Sequence, residues 1–301
     1  MSAFQNVALL GKGLLGSAIL NELVNAGFTV TVFGRSESSK EGLPSGVKFT
    51  TVDYASIDSL TSALQGQDVV VSTVSKGGLF SQNLVIDASI KAGVKRYIPS
   101  DFGGFTTDPK AHRELANVLA PMISTQTYLA EKARSGEIEH TIFSIGAFLD
   151  LIVKFPMAFD YSNKSTRLVD GGRHPWSATS LASIGKAVAG SLKNPEATKN
   201  KNLHIHELVV TQAQLYALAK KYSPPGTEWK ETYLDGEAEF SKAVQAAQED
   251  LNEGTLLGTI VAALLSGRYA AEYKQVDNEL VGVPLLTEED LDARFAALYK
   301  S

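Results

Sequence analysis

Three glycines and one arginine define the chemistry this chain can host. Gly11, Gly13 and Gly16 fall in Val7-Ala8-Leu9-Leu10-Gly11-Lys12-Gly13-Leu14-Leu15-Gly16, and Arg35 closes Phe28-Thr29-Val30-Thr31-Val32-Phe33-Gly34-Arg35. The first run reads as a strand, a glycine-rich turn and the start of a helix. In such a unit the first glycine permits a sharp turn and the second lets backbone approach a pyrophosphate. The third lets the helix lie against the strand. The helix, expected over residues 14–26 and stopped by Gly27, aims its unpaired N–H groups and positive dipole end at the phosphates. Gly11, Gly13, Leu14, Leu15 and Gly16 are therefore the expected dinucleotide contacts. Arg35 lies 19 residues beyond Gly16, close to the position that reads the ribose. A cation there suits a 2′-phosphate and points to NADP. Lys40, following Ser36, Ser38 and Ser39, would bring a second cation to that phosphate. The plainer alternative is a structural strand–helix turn with Arg35 solvated.

Hydride chemistry also needs a proton donor. Tyr128 and Lys132 are four residues apart, so a helix places them on one face. A lysine cation beside a phenol lowers its pKa from about 10 toward a range useful for proton transfer. This spacing is that of the Tyr-x-x-x-Lys pair of short-chain dehydrogenases. Ser100, after the fifth strand, would orient a substrate carbonyl. Lys132 also reads as part of a solvated helix end, Glu131-Lys132-Ala133-Arg134-Ser135-Gly136, where the helix dipole favours cations. Thr73, Ser75 and Lys76 follow a strongly apolar strand and precede Gly77-Gly78, so cofactor contact is expected from them. Lys110 and His112 belong to a polar loop that would border a substrate entrance or simply be solvated. His204 and His206 alternate along a strand, but no third ligand is near, and no metal is expected.

The 301 residues are 44% hydrophobic and 20% charged, an ordinary globular balance. The net charge of -5 argues against a nucleic-acid partner. The chain has no cysteine, which excludes disulfides and thiolate chemistry and fits a reducing, cytoplasmic compartment. The N-terminus runs straight into a strand, so no signal peptide is expected. The longest apolar stretch, residues 256–265, is too short to cross a membrane and reads as a buried helix.

Further strands are expected at residues 47–53, 68–74, 96–99 and 141–145, with helices at 57–64, 79–92 and 128–134. This alternation predicts an α/β fold with a Rossmann-type doubly wound parallel sheet over residues 1–150. Ligands of such sheets bind beyond the carboxyl ends of the strands. Residues 151–301 are expected to form a smaller α/β substrate-binding lobe interleaved with the end of the sheet. There a strand is expected at 203–210, and helix caps at Ser180, Thr211 and Thr287 with Asp290.

The segment Lys95-Arg96-Tyr97-Ile98-Pro99-Ser100-Asp101-Phe102-Gly103 resembles a signature of the NmrA-like and isoflavone reductase-like family, atypical short-chain dehydrogenases. Gly146-Ala147-Phe148-Leu149-Asp150, Asp170-Gly171-Gly172 and Ser183-Ile184-Gly185-Lys186-Ala187-Val188 extend the likeness over nearly the whole chain, strongest toward fungal NmrA-like members. The resemblance implies NADP(H) and reduction of a small aromatic, phenylpropanoid-type or carbonyl substrate. It implies cofactor contacts at Pro99 and Ser100, with Phe148 near the nicotinamide. The family also includes non-catalytic NADP(H)-binding redox sensors that act through a protein partner, which gives the alternative function. Its reductases carry a lysine on the helix after the fifth strand. The corresponding window here, Met122, Ile123, Ser124, Thr125 and Gln126, holds none.

Overall fold

Strands without a polar face must be covered on both sides, and two such strands set the centre of this fold. The computed structural model describes residues 4–299, without the side chain of Lys76. The first half runs β1 (Asn6–Leu10), α1 (Leu14–Asn25), β2 (Thr29–Gly34), β3 (Lys48–Thr51), α2 (Ile57–Ala63), β4 (Val69–Ser72) and α3 (Gln82–Lys91). It continues through β5 (Arg96–Ile98), α4 (Pro109–Glu114), α5 (Ala120–Arg134) and β6 (Glu139–Ser144). Then follow β7 (Ala147–Phe148), α6 (Leu149–Lys154), β8 (Ser165–Val169), β9 (Pro175–Thr179), α7 (Leu181–Lys193), α8 (Pro195–Thr198), β10 (Lys201–His204) and β11 (Leu208–Thr211). The chain ends with α9 (Gln212–Lys221), β12 (Lys230–Leu234), α10 (Gly236–Glu249), α11 (Glu253–Leu265), α12 (Asn278–Val281) and α13 (Glu288–Tyr299).

Buried β1 and β4 are neighbours in a seven-stranded sheet of order β10-β6-β5-β4-β1-β2-β3, and every pairing in it is parallel. On one face Val7, Leu9, Val69 and Val71 pack against Ile19, Leu20 and Leu23 of α1 and Ile184, Ala187 and Val188 of α7. On the other, Ala8, Leu10 and Val70 meet α2, α3 and α5 through Leu60, Val85, Ile86 and Leu129. Such two-sided burial is what a parallel sheet requires. The strand order reverses between β1 and β4, which opens a crevice at their carboxyl ends.

The second half builds two small sheets, β11-β9-β7 and β12-β8, around a separate core with Trp176, Phe159 and Phe295. A further cluster joins Phe105, Leu119 and Met122 to Phe240, Ala263 and Tyr269, fastening α10 and α11 to the first half. No helix among the described residues is long and apolar enough to cross a membrane.

The strand expected at 203–210 is in fact two. β10 pairs with β6 in the large sheet, and β11 pairs antiparallel with β9 in a small one. Between them Ile205 N–H donates to Ser144 and Glu207 N–H to Ala178, so the chain steps from one sheet to the other. The helix expected at 128–134 is the end of α5, which begins eight residues earlier at Ala120 with Pro121 in its first turn. The helix expected at 79–92 begins as a 3₁₀ turn, Lys76–Ser81. The caps form as read: Ser180 accepts from Ser183, Thr211 and Gln214 make a capping box, and Thr287 exchanges bonds with Asp290.

Arg96 of β5 is wholly buried. Its guanidinium donates to Glu139 (2.6 Å), Thr198 Oγ1 (3.0 Å) and the Pro195 carbonyl (2.8 Å), tying β5 to β6 and α8. Burial pushes the Glu139 carboxyl up, but Lys199 and Arg96 outweigh it and hold its pKa below the usual range. Removing one partner of a buried pair strands the other charge, at about 3–5 kcal/mol when both are dry. Glu139 keeps some exposure, so Glu139→Gln is expected to destabilise by about 1–3 kcal/mol at neutral pH. A depressed carboxyl pKa stabilises above the unfolded value and is lost as pH falls through the folded one. Urea unfolding should therefore show the gap between wild type and variant narrowing below about pH 4.

Candidate active site

The glycine turn crosses the carboxyl end of β1 beside the reversal of strand order. Gly11 has φ +93°, in the left-handed region that glycine tolerates. A Cβ on Gly16 would stand 2.3 Å from the Gly11 carbonyl oxygen and 2.7 Å from Thr73 Oγ1, so α1 sits directly on the turn. Gly13 is different: nothing lies within 4 Å of where its Cβ would be, and no side chain caps α1. Open space in front of uncapped helix amides fits a pyrophosphate. Leu14 is exposed and Leu15 half-buried at this edge. The hydroxyl of Thr73 is shared between the carbonyls of Leu10 and Gly11, 3.0 Å from each. It braces the turn from behind.

Arg35 is exposed at the end of β2 and makes no ion pair among the described residues. Burial raises the pKa of the neighbouring Tyr54 to about 12, against the opposing charge of Arg35. Lys40 is exposed on the 3₁₀ turn Glu37–Lys40, where the Ser36 and Ser38 hydroxyls meet at 2.7 Å. Lys12, between the first two glycines, reaches the carbonyl of Glu41, the residue after Lys40. Sequence reading passed over Lys12. Its place inside the glycine turn was the available signal.

Beyond β4 and β5 the loops are tied together. Ser100 N–H donates to Gln82 Oε1 (2.7 Å) and its hydroxyl to the Val74 carbonyl (2.7 Å). The hydroxyl expected to orient a substrate carbonyl thus gives its proton to the backbone. Pro99 is buried and its carbonyl accepts from Asp101 N–H at 2.8 Å. Ser75 is exposed, and the side chain of Lys76 lies outside the described structure.

Tyr128 and Lys132 do share a face of α5, with Nζ 5.3 Å from the phenol ring. The tyrosine, however, turns to α3, where its hydroxyl donates to Asp87, and Lys132 pairs with Glu137 at 3.2 Å. The hydrogen bond to Asp87 raises the Tyr128 pKa, the reverse of the lowering expected from its lysine. Neither residue lines the cavity at the site.

That cavity, of about 250 Å³, lies beyond β5 and β6. Its walls are the loop from Phe102 to Phe105, the stretch from Gly146 to Phe148, Trp176, and one face of α11. No ionisable side chain is among the described lining residues. Gly146 has φ +67°, and a Cβ there would fall 1.9 Å from the Ser177 carbonyl. Tyr273 stitches the two loops, donating to the Gly104 carbonyl (2.7 Å) and accepting from Gly146 N–H (2.9 Å). Tyr273 was invisible to sequence reading because it acts from far along the chain. His204 and His206 flank its ring, with centroids 4.8 and 6.5 Å away. Burial holds both imidazoles below their usual pKa.

The window without a lysine contributes Gln126. Its amide donates to Asp101 Oδ2 (2.6 Å) and to the Thr106 carbonyl (3.0 Å). Asp101 is 3% exposed. Burial drives its pKa up, and Thr106, Gln126 and His112 pull it back only in part. His112 Nε2 meets the Thr106 carbonyl at 2.6 Å, and Lys110 donates to the Arg268 carbonyl at 3.1 Å. The segment expected as a polar loop is instead the short helix α4, and Lys110 ties it to the backbone just beyond α11.

The sequence pattern of a family described as NAD(P)H-binding matches residues 11–195. An oxidoreductase of Aspergillus flavus, aprR, is 33% identical over 88% of this chain and 89% of its own length. The chain belongs to this NAD(P)H-binding family. An NmrA-like family domain-containing oxidoreductase of Gibberella moniliformis is 26% identical over 76% of this chain and 80% of its own length. A solved isoflavone reductase shares the fold with a TM-score of 0.78 at 19% identity, over 97% of this chain and 100% of that one. Structures of pinoresinol-lariciresinol and phenylcoumaran benzylic ether reductases follow at 0.76 and 17% identity, over 97% and 99%. The NADP(H) expected from the sequence accords with the family's description as NAD(P)H-binding. In this NAD(P)H-binding chain Tyr128 belongs to the packing of α5 on α3. Tyr128→Phe is expected to lower stability by about 0.5–1.5 kcal/mol, one hydrogen bond's worth, in a thermal melt. NADPH affinity, followed by fluorescence titration, should not change.

Proposed function

We propose that the protein is an NADPH-dependent reductase of a small aromatic or carbonyl substrate. The observation that carries this reading is the apolar cavity beyond β5 and β6, at the same end of the sheet as the glycine turn. Gly13 and the first amides of α1 would hold the pyrophosphate, and Arg35 with Lys12 and Lys40 the 2′-phosphate. Ser75, Lys76, Pro99, Ser100 and Phe148 would border the nicotinamide, which supplies the hydride when NADPH is bound. The cavity would take the ring of the substrate and exclude water from it. Residues 1–150 act as the cofactor domain and 151–301 as the substrate lobe, with α7 and β10 returning to the large sheet. A chain without cysteine suits the cytoplasm.

One observation favours a second reading, a non-catalytic NADP(H) sensor with a protein partner: Gln126 stands in the window where the family's reductases carry lysine. Steady-state NADPH oxidation against phenolic enones, aldehydes and quinones separates the two. Turnover of any of these supports the reductase, and micromolar NADPH binding with none supports the sensor. Arg35→Asp removes a charge-assisted contact of about 1.5–3 kcal/mol, so its NADPH Kd should rise roughly 10- to 150-fold. An unchanged NADPH Kd in that variant would remove the preference for NADP. Filling the cavity with Ala147→Trp should abolish turnover while leaving the NADPH Kd in place.

A further inference from the structure

Adding hydride to a carbonyl carbon leaves negative charge on oxygen, and that oxygen must gain a proton. The cavity wall offers no ionisable side chain to give one. Nearby hydroxyl protons are already engaged: Ser100 donates to Val74, Tyr128 to Asp87 and Tyr273 to Gly104. One acid stands immediately behind the wall. Asp101 precedes Phe102, the first residue of the lining loop, and is 3% exposed. Its Oδ2 accepts from Gln126 at 2.6 Å, and its Oδ1 has no partner. Thr106 Oγ1, also buried, makes no full hydrogen bond either, yet it stands close enough to the carboxyl to lower its pKa. That hydroxyl lies against Gly103 of the lining loop: a Cβ at Gly103 would be 2.8 Å from it. The hydroxyl thus packs on a glycine of the lining loop.

We infer that Asp101, held by Gln126 and adjoining the Thr106 hydroxyl, supplies the proton of the reduction. This rests on the reductase reading above. As hydride reaches the carbonyl carbon, the C=O electron pair moves to oxygen. The O–H bond of Asp101 breaks, an O–H bond forms on the product through the Thr106 hydroxyl, and the carboxylate regains a proton from water. A buried carboxylate with one neutral donor is poorly satisfied, so the acid keeps its proton until the oxyanion takes it. The groups around it are consistent with this. His112 from α4, Gln126 from α5 and the phenol of Tyr273 face it, and no lysine or arginine pairs with it among the described residues.

Infrared difference spectroscopy of wild type against Asp101→Asn tests the protonation directly. A protonated-carboxyl C=O band at neutral pH is expected in the wild type and lost in the variant, whose NADPH Kd stays unchanged. With a substrate that turns over, kcat of Asp101→Asn should fall roughly 100-fold or more, the scale of a lost general acid. The wild-type kcat should decline as pH rises through the pKa of the acid, and this limb should vanish in the variant. Asp101→Glu should recover part of the rate, and Thr106→Val should lower kcat while keeping the band. Absence of the band, or an unchanged kcat and pH profile in Asp101→Asn, overturns the inference within an active enzyme. A wild type that binds NADPH yet turns nothing over overturns the reductase reading instead, and the donor role falls with it.

Discussion

The seat of α1 on the glycine turn is the contact from which the rest of the site follows. Gly16 comes so close to the Gly11 carbonyl that no side chain fits between them, and Thr73 closes the third side with a hydroxyl shared by Leu10 and Gly11. Two neighbouring strands of the sheet, β1 and β4, and the helix α1 are thereby locked at one point. The lock aims the amino end of α1 across the reversal of strand order, where partial positive charge is of most use to an anion. It also sets the direction in which a dinucleotide must lie. In the proposed function, phosphates at β1 and a 2′-phosphate end toward Arg35 on β2 would leave the nicotinamide end to extend the other way, over β4 and β5. The apolar cavity lies one step further along the same edge.

The second half is bound into this frame by backbone contacts as close as those of the glycine turn. α7 lies on α1 where a Cβ at Gly185 would be 2.8 Å from the Ala18 carbonyl. Gly190 of the same helix packs on Val281, with 2.1 Å between a Cβ and its carbonyl oxygen. β10 then extends the large sheet beside β6. At the cavity, Tyr273 bonds to loops from both strands β5 and β6, and Arg268 pairs with Glu114 of α4 at 3.1 Å. The cavity is therefore walled by segments distant in sequence but mutually fixed, which is what a site that must exclude water needs.

What the sequence reveals and what it conceals divide along the range of the interaction. The glycine turn, the strands β1, β2 and β4, and the caps at Ser180, Thr211 and Thr287 are legible because each is decided within a few residues. The change of sheet between His204 and Leu208 is not, since it depends on Ser144 and Ala178 waiting to receive the chain. The Tyr128–Lys132 spacing is a true helical spacing with the wrong neighbours: Asp87 and Glu137 claim the two groups, and only packing on α3 decides that. Lys12 hides in a motif read for its glycines. Asp101 lies within a quoted motif, yet its burial and its meeting with Gln126 depend on how α5 docks.

Gln126 and Asp101 are best understood together. A lysine at position 126 would bring a cation to the Asp101 carboxyl and hold it ionised, because a nearby opposite charge favours the charged form. An amide in the same place donates a hydrogen bond without adding charge, so burial remains the larger influence and holds the carboxyl pKa above its usual range. With no lysine in the window from Met122 to Gln126, the inferred proton source is the buried acid behind the wall. The cavity itself has no ionisable side chain among its described lining residues. Such a chamber favours an uncharged, apolar ring and resists an anion, since desolvating an unpaired charge is expensive.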